Sequence, residues 1–158
     1  MTTYKLLRLK NGQLYPLYVL SDQPLQIGVW LKARVGELAD SGHVYSRTGV
    51  LSLRPGYHST LVPFTDWIGA RGADGQLYQR PDTVWTECEV RGQEITVTDR
   101  WGLRTIPDGW YRMRLNSKQK DPWIISGELK INRILTRSEV EAICREHGGT
   151  AQPVWEID

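Results

Sequence analysis

The 158 residues are about one domain's worth of chain, long enough to bury a core without disulfide or metal staples. A formal charge of +2 excludes a histone-like polycation, and no apolar run approaches the ~20 residues needed to span a bilayer. Two cysteines and three histidines are too few and too scattered for a zinc site of the usual spacing, so no metal is expected.

In chain order, residues 4–9 and 13–20 are apolar-rich and flank Asn11-Gly12, which suits a two-residue type I′ hairpin turn. Pro16 places the second strand at a sheet edge. After the SDQP loop, a strand is predicted at 27–34 and a short one near 43–46. Residues 50–54 alternate, with Leu51 and Leu53 on one face and Ser52 and Arg54 on the other, until Pro55-Gly56 stops them. A short helix is predicted at 63–69 and a loop at 69–76. VWTECEV (84–90) alternates cleanly: Val84, Thr86, Cys88 and Val90 on one side, Trp85, Glu87 and Glu89 on the other. Further strands are predicted at 94–98, 109–115 and 122–133, the last with Gly127 as a candidate bulge. Thr136 and Glu139 form a capping box for a helix over 137–147, with Leu135 and Val140 as its staple and Gly148-Gly149 as its stop. The tail AQPVWEID is left open between docking and solvent. Many strands with one good helix predict a single α+β domain over 1–158 with a mainly antiparallel sheet.

MTTYKLLRLK has no apolar stretch followed by a small-residue cleavage site, so no secretory leader is expected. Cys88 and Cys144 are expected to be reduced core thiols, although an oxidising compartment would allow them to pair. The seven Trp and seven Tyr against one Phe suit ligand walls and interfaces as well as cores.

Three stretches carry candidate chemistry. Arg54, Tyr57, His58, Ser59 and Thr60 crowd the end of one strand, where a ring nitrogen, two hydroxyls and turn amides could hold a ribose or phosphate oxygen. The competing reading is that His58 and Thr60 satisfy backbone groups after the Pro-Gly turn. Glu87 and Glu89 lie ~7 Å apart on one strand face. With Asp82 they faintly resemble the acidic core of restriction-type nucleases, but the spacing from Asp82 is short and Glu89 stands where a Lys belongs, so a solvated face is preferred. From Arg91 to Lys120 there are seven Lys or Arg against three acids. Trp110, Arg112 and Arg114 share a face there, and with Lys118 and Lys120 they could engage nucleic acid or a host protein. His43 and His147 receive no role.

Taken together, YHST (57–60), VWTECEV (84–90) and DPWIISGELKINRIL (121–135) resemble, in order, three motifs of the ADP-ribosyltransferase fold. That resemblance implies a split, mainly antiparallel sheet and a cleft for NAD or an ADP-ribose-like nucleotide. It implies that His58 and Ser59 hold ribose and amide groups, that Tyr57 or Tyr78 stacks on a ring, and that Arg54 pairs with the pyrophosphate. The place of the family's catalytic Glu is Pro122 here, so the resemblance implies Asp121 as the remaining carboxylate, with His58, or a catalytically degenerate domain. RPGYH, PDTVW and WIISG…KINRIL also resemble domains of phage and mobile-element proteins, including large polyvalent ones. That second likeness brings no activity, but implies an accessory protein in the cytoplasm of a bacterial host.

Overall fold

The structure, a computed structural model, describes residues 1–155. Asn11 and Gly12 have φ of 51° and 76°, and this left-handed pair folds β1 (Thr2–Lys10) onto β2 (Gln13–Tyr15) in the expected register. Pro16 ends β2, which is an edge strand. The chain continues through β3 (Trp30–Lys32), the small ribbon of β4 (Val44–Ser46) and β5 (Gly49–Leu51), and β6 (Tyr57–Ser59). A second ribbon pairs β7 (Ala70–Arg71) with β8 (Leu77–Tyr78). Then come β9 (Thr83–Val90), β10 (Trp110–Met113), β11 (Trp123–Ser126), β12 (Glu128–Ile134) and α1 (Arg137–Glu146).

Two antiparallel sheets organise these elements. The larger has the order β2-β1-β9-β12-β3, and the smaller β10-β11-β6. They are joined at two places. Gly127 passes the chain from β11 in one sheet to β12 in the other, and a Cβ there would lie 2.2 Å from the Pro107 carbonyl oxygen, so only glycine fits. The second joint is a reciprocal backbone pair, Tyr4 N–H to Thr60 C=O at 2.8 Å and Thr60 N–H to Tyr4 C=O at 2.7 Å. One edge of β1 therefore carries β2 along Arg8–Lys10 and the end of β6 at Tyr4. Between the two partners that edge is uncovered, and the sheet splits.

β1 and β9 bury residues on both faces. Leu7, Cys88, Val90, Leu129 and Ile131 pack with Ile124 of the smaller sheet. On the other face Leu6 and Trp85 pack against Leu135, Val140 and Cys144 of the α1 region. The capping box of α1 is formed in full by Thr136 and Glu139, and Gly148 at φ 78° terminates the helix. Cys88 and Cys144 are free and buried in these separate clusters. Among the described residues no helix is long and apolar enough to cross a membrane.

Several expectations are corrected. Residues 63–69 form bends instead of a helix: the Trp67 amide bonds to the Thr65 hydroxyl, and Phe64 and Ile68 pack toward α1. Residues 94–98 are not a strand, having one bridge to Trp110, although Ile95 and Val97 do pack on Tyr111, Met113 and Ile125. The alternation there reports burial, without a ladder partner. The predicted long strand over 122–133 is two strands in two sheets, and the register shift lies between Ile131 and Arg133 instead of at Gly127. The loop predicted at 69–76 contains β7. The tail docks as far as it is described, with the Trp155 amide on the Gln79 carbonyl at 2.8 Å, and residues 156–158 lie outside the described residues.

Candidate functional site

The split between β2 and β6 opens into a cavity of about 490 Å³. β1 contributes Tyr4, Lys5 and Leu6, the chain after β2 contributes Leu17 to Leu20, and the approach to β6 contributes Arg54 through His58. Trp85, Trp67 and Trp123 supply aromatic wall. Lys5, Arg34 and Arg54 line it, and among the described residues that do so there is no Asp or Glu. The site is thus an apolar cleft with only positive charge in its walls.

Lys5 is the group that sequence reasoning missed. β1 pairs with β9 so that Lys5 stands opposite Thr86, on the same face as Thr3, Leu7 and Cys88. That side packs toward the smaller sheet, and the lysine is only part-exposed. Its ammonium donates to the His58 carbonyl at 2.7 Å. Burial lowers its pKa from 10.5 to about 8. The sequence signal was a lysine at an inward position, but Leu6 and Leu7 adjoin it and both faces of β1 are apolar, so alternation alone did not reveal which way Lys5 points.

His58 also lines the cavity. Its Nδ1 lies 3.3 Å from the Gly56 carbonyl oxygen, which can only accept, so Nδ1 carries the proton and Nε2 presents a lone pair. Its ring meets Trp123 edge-on at 6.1 Å between centroids. Burial, and then the neighbouring Lys5 and Arg54 cations, push its pKa from 6.5 down to about 3. The imidazole is therefore neutral at physiological pH and serves as a hydrogen-bonding group. Gly56 makes this turn possible: it has φ of 129°, and a Cβ there would press on Ile125 at 2.8 Å.

The other predicted residues divide. Arg54 and Tyr57 join His58 on the cavity wall. The Arg54 Nε is buried with no partner among the described residues, and the Tyr57 hydroxyl donates to the Lys32 carbonyl at 3.3 Å. Ser59 is fully buried and does not line the cleft. Thr60 commits its hydroxyl to the carbonyls of Tyr4 and Val62, so the backbone-satisfying alternative describes this residue. Tyr78 lies on β8, where it donates to Asp74 at 2.6 Å and meets Trp155 edge-on, away from the cleft lining. Asp121 lines a neighbouring cavity of about 300 Å³ together with Asp66, Lys120 and His147. Trp67 and Trp123 wall both cavities, which therefore adjoin, but Asp121 lines only the smaller and His58 only the larger.

The basic face is exposed as read, but its arginines have partners. Arg112 pairs with Glu94 at 3.2 Å and stacks over Trp110 at 5.6 Å. Arg114 donates to the Gln119 and Lys120 carbonyls, closing the turn that carries the exposed Lys118. Glu87 and Glu89 are also engaged, by Arg133 and Lys130 at 3.2 Å each, which makes their face a lattice of surface ion pairs. Among the described residues no cluster of His, Cys, Asp and Glu could hold a metal ion. Compared with protein-family models, curated proteins and solved structures, the chain finds no match.

Proposed function

We propose that the cleft binds a nucleotide of the NAD or ADP-ribose class, in a divergent ADP-ribosyltransferase-like domain that binds without turnover. The observation that carries this reading is the cleft lining: an imidazole and three cations around an apolar, aromatic-walled volume with no carboxylate among its described residues. A cavity of about 490 Å³ is in the range of small-ligand sites. Arg54 pairs with the pyrophosphate, Tyr57 and the tryptophans offer faces to the rings, and the lone pair of His58 accepts from a ribose hydroxyl.

Loss of turnover follows from the missing acid. Cleaving a sugar–nicotinamide bond develops positive charge on the sugar, which a nearby carboxylate must stabilise. Asp121 opens onto the other cavity, and Pro122 stands where the family's Glu belongs. On the likeness of RPGYH, PDTVW and WIISG…KINRIL, the chain serves as an accessory protein of a phage or mobile element in the bacterial cytoplasm. The alternative, nucleic-acid or host-protein binding through Trp110, Arg112 and Arg114, has less support because both arginines already have partners.

Thermal unfolding with ADP-ribose tests the proposal. At a hundredfold excess over Kd the folded state gains about 2.7 kcal/mol. His58→Ala removes most of that gain. A melting temperature unmoved by millimolar ADP-ribose removes the proposal.

A further inference from the structure

We infer that Lys5 is the anion anchor of the cleft: the ligand seats a phosphate or similar compact anion on its ammonium and offers a hydroxyl to Nε2 of His58. The inference rests on the nucleotide reading for the body of the ligand, but its electrostatics stand separately. An ammonium has three donors, and among the described residues Lys5 uses one, on the His58 carbonyl. Lys130, the other part-exposed lysine, meets Glu89 at 3.2 Å. Among the described residues Lys5 has no such counter-ion, and the cleft lining contains no described carboxylate to supply one. A part-buried charge without a counter-ion is costly to keep, and a bound anion offsets that cost.

A second cation agrees: Arg54 also lines the cavity, and its Nε has no partner among the described residues. His58 supplies no positive charge to the anion, because its imidazole stays neutral. The groups facing Lys5 are few: Thr86 and Cys88 from β9, His58 from β6, and the Arg54 cation just before it. Cys88 is held neutral, its thiol pushed up to about 11 by burial. Lys5 is therefore the group among these that changes charge near pH 8.

Lys5→Met keeps the aliphatic stem and removes the ammonium. Titration calorimetry with ADP-ribose, adenosine and inorganic pyrophosphate reads the effect. Lys5→Met weakens ADP-ribose about ten- to a hundredfold and leaves adenosine unchanged, the size of a lost charge-assisted hydrogen bond. Unchanged ADP-ribose affinity in Lys5→Met overturns the inference while nucleotide binding stands. If wild type binds pyrophosphate through Lys5 but ignores ADP-ribose, the anchor stands and the nucleotide reading falls. Binding of neither ligand overturns both. Should Lys5→Met not fold, wild type answers alone: ADP-ribose affinity drops about tenfold from pH 7 to pH 9 as the ammonium is lost, and a flat profile overturns the anchor.

Discussion

His58 commits one ring nitrogen to the architecture: Nδ1 satisfies the Gly56 carbonyl, and the ring lines the cleft. This placement has a consequence for stability. The unfolded imidazole takes a proton near pH 6.5, whereas the folded one resists until about pH 3. Between those values the unfolded chain binds more protons, so stability falls as pH falls through that window. His58→Gln keeps a polar group and removes the titration. Between pH 7 and pH 4.5 the wild type should lose about 1–2 kcal/mol more than the variant, read from urea midpoints, after allowing for partial exposure. Equal losses would show that the imidazole is better solvated than its surroundings indicate. Lys5 acts at the other end of the scale: its folded pKa is lowered to about 8, so the unfolded chain binds more protons from there to 10.5, and stability rises with pH across that range.

Among the elements, the two with closed local logic were legible from sequence. Asn11-Gly12 supplies its own left-handed turn, and Thr136 with Glu139 supplies its own cap. Thr136→Ala should therefore cost about 1 kcal/mol of global stability by denaturant titration, without displacing the cleft. A much smaller cost would mean that the packing of Val140 and Cys144 alone holds α1. The break at Gly127 was not legible as what it is. A glycine within an apolar run reads equally well as a bulge, a kink or a change of sheet, and the Pro107 carbonyl pressed against it comes from a distant loop. Gly127→Ala forces that contact open and should cost about 1–3 kcal/mol, seen as a lowered urea midpoint. A neutral result would show that the 107 loop yields freely. The bends at 63–69 misled for a related reason: their apolar residues face α1, so the spacing reported burial without helical hydrogen bonds.

In the molecule as a whole, the proposed binding depends on the gap along the β1 edge between β2 and β6. The reciprocal Tyr4–Thr60 pair pins the closed end of that gap, and Lys5 and His58 lie beside it. A ligand anchored there should reinforce the joint. Hydrogen exchange with saturating ADP-ribose should slow the Tyr4 and Thr60 amides about tenfold or more, while the 70–78 ribbon is unchanged. Uniform slowing across the chain would instead point to global stabilisation with no special role for the joint.

The strands β1 and β9, the hairpin, the capped helix and the cluster at Arg54–His58 could be read from the chain, because each depends on neighbours a few residues away. The cleft could not. Its decisive contact joins Lys5 to His58 across 53 residues, and its lining gathers segments that only the packing of β1, β6 and β9 brings together. The same holds for Asp121 and His58, which line two different cavities of the packed structure. Periodicity reports which residues are buried, but strand pairing decides what they are buried against.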